Sequence, residues 1–183
     1  MSEELKMNWP MVGVLLKLIE PGKKMLSRVY NLFAKTKSRK IGLYNRIANK
    51  YYNKVCTVKY ISNQVRGIHE DDMSGLRNIN QAICYRLGNL HRLDEINLDL
   101  SEIKDGLGEK VRELLINIEE KLSELDRLGV GASYAFSIDS SKVGCICNKI
   151  LCLWYKLLEE IGKNVGRKVD EMEQELWDKH NPL

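Results

Sequence analysis

Proline is nearly absent from this chain, and its placement limits the fold more than any other feature. Only Pro10, Pro21 and Pro182 occur in 183 residues. Proline removes a backbone donor and crowds the carbonyl four residues earlier, so each one inside a helix tends to end or kink it. From Gly22 to Asn181 no such break is imposed. Within that span apolar residues recur every three or four positions, the period of one helix face. The expectation is an all-α protein, a bundle of about five to six helices with two long C-terminal helices packed antiparallel.

The rows can be placed. Met11–Glu20 reads as a short helix opened by Pro10 and stopped by Pro21-Gly22. Lys23 to about Lys40 follows, with Met25, Val29, Leu32 and Phe33 along one side and a joint expected at Ile41-Gly42. Leu43, Ile47, Tyr51, Val55, Val58 and Ile61 mark a third segment. Its Val55–Ile61 composition also suits a strand, but the period favours a helix. A helix capped by Asp72 or Ser74 is expected to run to about His91, and turns plus one helical turn to fill 94–106. Leu107, Val111, Leu114, Ile118, Leu122, Leu125 and Leu128 form an unbroken row ended by Gly129, with a mixed loop after it. The last row starts behind Ser140 or Ser141 and runs from Val143 to Leu176. Two such helices alone would expose their rows, so they call for cover from the earlier helices, a second subunit, or both.

Charge divides the chain unevenly. Residues 1–66 hold 14 Lys and Arg against three Glu, while residues 67–183 hold 15 against 22 acids. This suggests a basic N-terminal segment, 1–68, and a bundle scaffold, 69–183. Between Pro21 and His69 there is no acid at all. The cations there include Lys23, Lys24, Arg28, Lys35, Lys37, Arg39, Lys40, Arg46, Lys50 and Lys54, interleaved with tyrosines such as Tyr44 and Tyr51. Lys and Arg neutralise phosphates and release counterions, and tyrosine can stack on a base. The expected partner is nucleic acid, DNA or RNA. The same stretch also suits a basic face that pairs with the acidic second half, or a contact with an anionic membrane surface.

No apolar run approaches the ~20 residues of a membrane span, and no secretory signal is evident, which makes the cytoplasm the expected compartment. With that compartment, the five cysteines are expected to be mostly free and buried. Cys145, Cys147 and Cys152 do not converge on one helix face, and neither a metal nor a cofactor is expected. No strong catalytic motif stands out, so a binding role is expected over an enzymatic one.

Arg86-Leu-Gly-Asn-Leu-His91 has the R-x4-H spacing and resembles the HEPN family of helical-bundle ribonucleases. The resemblance implies a dimer that cleaves RNA without metal. His91 would serve as general acid or base, and Arg86 would stabilise the phosphorane. Leu87 stands where that family usually carries a polar residue. The layout, basic helices followed by a helical scaffold, is also similar to the coat proteins of filamentous archaeal viruses, which wrap DNA. That likeness implies a structural protein and a homo-oligomer or a subunit of a larger assembly.

Overall fold

The computed structural model describes the backbone of residues 9–67, 73–87, 98–135 and 139–180. Every element among them is helical. α1 spans Trp9–Arg66, α2 spans Met73–Gln81 and passes into a π-helical turn at Ala82–Leu87, and α3 spans Leu100–Leu107. α4 spans Glu109–Ala135, α5 spans Ser140–Val165 and α6 spans Val169–His180. The chain divides into two compact units, Met1–Arg39 and Lys40–Leu183. Leu43 to Ile61 of α1 contribute to the core of the second unit.

The expected stop at Pro21-Gly22 and joint at Ile41-Gly42 do not occur: α1 runs through both. A proline inside a helix costs about 3 kcal/mol, but ending one helix and starting another leaves eight backbone groups to be satisfied elsewhere. Apolar positions at 18, 26 and 29 keep the helical period on both sides of the proline. The strand-like stretch 55–61 lies within this helix.

In the second unit, α1 is the element the others wrap. Leu43, Ile47, Tyr51, Val55, Val58 and Ile61 are all buried, as their spacing predicts, and so are their neighbours Tyr44, Ala48 and Tyr52. A helix buried over so wide an arc is packed on more than one side. Its polar links reach four other elements: Arg46 to Glu102 of α3, Tyr51 to Glu119 of α4, Ser62 to Asn148 of α5, and Lys179 of α6 to Asn49. Its aromatic Tyr52 stacks on His180 at 4.7 Å between ring centroids.

α4 and α5 are the expected antiparallel pair. Lys110 near the start of α4 meets Glu160 near the end of α5 at 3.0 Å, and Glu124 further along α4 lies in the field of Lys142 and Lys149. Their rows are buried from Val111 to Leu125 and from Val143 to Val165. Several boundaries differ from expectation. Asp99 accepts the amides of Ser101 and Glu102, so an eight-residue helix starts at Leu100 in the stretch expected to hold turns and one helical turn. Gly108, at φ +99°, separates that helix from α4. Gly129 does not end α4, which continues to Ala135 and takes up most of the expected loop. Asp139, rather than Ser140 or Ser141, caps α5 by accepting from the Lys142 amide. Asp72, one cap candidate, and the expected end at His91 lie outside the described residues, while Ser74, the other candidate, lies inside α2, which starts at Met73.

The long final row is split into α5 and α6 by a tight turn. Gly166 takes the left-handed conformation at φ +70°, and the Gly162 carbonyl accepts both the Gly166 amide at 2.8 Å and the Arg167 amide at 3.0 Å. A Cβ on Gly162 would fall 2.6 Å from the Arg167 carbonyl oxygen. Backbone cannot swing aside as a side chain can. Gly162→Ala is therefore expected to destabilise the bundle by about 1–3 kcal/mol, read as a lower urea midpoint.

Candidate nucleic-acid interface

The residues expected to contact nucleic acid fall into two populations. Those from residue 40 onward are drawn into the fold of the second unit. Arg46 pairs with Glu102 at 2.6 Å and Lys50 with Glu119 at 3.4 Å. Lys40 donates to Asn164 Oδ1 at 3.5 Å. Lys54 is 1% exposed, with its ammonium 5.5 Å from the centroid of the Tyr51 ring. For Arg46 and Lys50 the pairing of basic helix with acidic second half is the arrangement observed.

Tyr44 and Tyr51 offer no face to a base. Tyr44 is 1% exposed and donates to the Met172 carbonyl at 3.4 Å. Its hydroxyl is pushed up to about 12, chiefly by burial and then by Glu175, with Arg167 partly opposing. Tyr51 is 2% exposed and donates to Glu119 at 2.6 Å. Their inclusion is corrected on packing grounds: both sit on the row that α1 buries.

Glu119 is a centre that residue order does not reveal. Burial raises its carboxyl, but the Tyr51 hydrogen bond and the charges of Lys54 and Lys50 outweigh that and hold it below its ordinary value. In the sequence Glu119 is only the residue after Ile118 in a long apolar row. No local signal shows that a cationic helix packs over it.

The first unit presents a different surface. Arg28, Lys35, Lys37 and Arg39 are all exposed, in a helix without one acidic residue after Glu20. Helical spacing puts Arg28, Lys35 and Arg39 along one side, at i, i+7 and i+11. Tyr30, Phe33 and Lys37, at i, i+3 and i+7, share another. Tyr30 is 73% and Phe33 71% exposed, and Leu32 is 66% exposed. Lys23 and Lys24 lie in the same helix, with side chains outside the described residues. A single-sign helix of this kind can follow a phosphate backbone, and its aromatics can stack on unpaired bases.

The ribonuclease-like pair is not assembled on the described residues. Arg86 lies in the π-helical turn, where only its backbone is described, and His91 lies outside them. Of the cysteines, Cys147 is buried and its thiol is pushed up to about 12 by burial. Cys145 and Cys152 share the exposed side of α5, contrary to the expectation of mostly buried thiols. Among the described residues, no group of three or more His, Cys, Asp or Glu is placed to hold a metal ion, and no helix is long and apolar enough to cross a membrane. No protein-family model, curated protein or solved structure matches the chain.

Proposed function

We propose that this protein binds nucleic acid, without catalysis, through the cationic helix at residues 23–39, and that the helices of residues 40–183 serve as its scaffold. One observation carries the reading. Four cations, Arg28, Lys35, Lys37 and Arg39, are exposed in a segment whose sequence supplies no acid to neutralise them. Of the other cations in the acid-free stretch, Lys40, Arg46, Lys50 and Lys54 find partners or burial inside the second unit, whereas Lys59 and Arg66 are exposed near the end of α1. The densest exposed group is the phosphate-binding segment, with Tyr30 and Phe33 available for stacking.

Self-assembly through the C-terminal helices has less to rest on than their bare rows suggest, since α1 covers much of both. If the second unit associates, its exposed apolar residues Ile116, Tyr155 and Trp177 are the groups to do it.

The test is a binding isotherm on single-stranded and duplex DNA and on RNA across a salt series. Each phosphate neutralised on duplex contributes about −0.9 to the slope of log K against log salt, so four contacts give about −3.6. A slope near zero, or no binding at low salt, would make these cations an ordinary solvated face.

A further inference from the structure

The nucleic-acid reading uses the cations of the first unit and leaves a second feature unused. Helical geometry places positions 11, 15, 18, 22, 26, 29 and 33 on one row, with the spacing 4, 3, 4 repeated twice. Apart from Gly22, the sequence puts an apolar residue at every one of them: Met11, Leu15, Leu18, Leu26, Val29 and Phe33. Val12, Ile19, Met25 and Tyr30 flank the row, so one side of the helix is apolar over about six turns. The opposite side carries Lys17, Lys24, Arg28 and Lys35, with Glu20 as its only acid. The members whose side chains are described, Tyr30 and Phe33, are open to solvent.

Charge chooses the occupant of that row. A helix that pairs with another protein usually has a mixed-charge outer face, and two copies of this one would bring like charges together. A partner that takes the apolar side and also welcomes many cations must be apolar and anionic at once. A bilayer containing anionic lipid has both properties: an acyl boundary for the row and headgroup phosphates for Lys and Arg. Trp9, at the start of α1, is of a residue type that favours the headgroup level.

We infer that residues 9–39 form an interfacial helix that docks on the surface of an anionic bilayer, apolar row inward. Headgroup phosphates then engage the same cations that the proposed function assigns to nucleic acid. Bilayer and nucleic acid compete for the segment, and membrane docking releases the nucleic acid. The competition rests on the nucleic-acid reading; the docking does not.

The experiment is co-flotation of the full chain with vesicles of phosphatidylcholine alone and of phosphatidylcholine mixed with phosphatidylglycerol, beside binding to a fluorescent DNA duplex. The paired variant is Leu15→Gln with Leu18→Gln, two members of the apolar row that precede the segment assigned to nucleic acid. Gln keeps a high helix propensity and adds no charge, and an unchanged circular dichroism spectrum verifies the fold. The expected result is flotation with the mixed vesicles only, displacement of duplex by those vesicles, and at least a tenfold loss of flotation in the variant with duplex affinity kept within a few-fold. If the variant floats as well as the parent, the contact is with headgroup charge alone and the inference is overturned. If the parent binds duplex but no vesicle, the inference fails and the proposed function stands. Flotation without duplex binding supports the docking and removes the proposed function.

Discussion

Replacing Lys35, Lys37 and Arg39 together by Glu is expected to weaken nucleic-acid binding by about 100-fold or more at low salt, and to cut the salt slope from about −3.6 to about −0.9. Three neutralised phosphates account for about −2.7 of the salt slope, and reversal adds repulsion to the loss. All three side chains are exposed, so the urea midpoint should stay where it is. Fluorescence anisotropy on a labelled oligonucleotide reads the first effect, and a denaturation curve reads the second. A control triple variant at Arg46, Lys50 and Lys54 should do the reverse, costing stability first, because those cations are held by Glu102 and Glu119. If instead the control removed binding and left stability intact, the division of the basic stretch into a surface and a structural half would be wrong.

Glu119→Ala should be among the costliest single changes in the scaffold. It removes the acceptor of the Tyr51 hydroxyl at 2.6 Å, the ion-pair partner of Lys50 at 3.4 Å, and a charge that acts on the buried Lys54 ammonium. Breaking a buried pair from one side costs about 3–5 kcal/mol. The Glu119 side chain is itself 35% exposed, so water softens the loss and about 3 kcal/mol is expected. Lys54→Met combined with Glu119→Leu should recover part of it, because apolar isosteres remove both desolvation costs at once while the Tyr51 hydroxyl still lacks its acceptor. The pH dependence follows in sign. Glu119 has a folded pKa below its ordinary value of 4.5. Its contribution is thus fully present above about pH 4.5 and is lost as pH falls through the folded value. The acid limb of the stability curve should therefore be shallower in Glu119→Ala than in the parent. Equal limbs would mean the carboxylate is held no better in the fold than in the open chain.

Much of the architecture could be read from residue order. The rows from Leu107 to Leu128 and from Val143 to Leu176 placed the antiparallel pair, and the row from Leu43 to Ile61 placed the central helix. That last row also held a warning. Tyr51 was one of its members and Tyr44 lay beside it, so assigning both to a nucleic-acid surface asked one helix face to be core and interface at once. Burial resolved the matter for the core. The errors of continuity, at Pro21-Gly22, Gly108, Gly129 and Gly166, share one cause. A glycine or proline sets a local preference of about 1–3 kcal/mol, which tertiary contacts can outweigh, so the same residue type ends a helix in one place and is carried through in another.

By itself the sequence determined what is periodic or local: the helical class, which faces are apolar, and where cations occur without acids. Only the tertiary structure decided which of those cations are free to meet a partner. Lys37 and Lys50 look alike in the sequence, each a lysine in an acid-free helix. They differ because packing of α1 against α4 brings Glu119, 69 residues further along, within 3.4 Å of Lys50. A charge's partner across the chain is fixed by how helices pack, and helix packing depends on all the rows together, so it is not written at either residue.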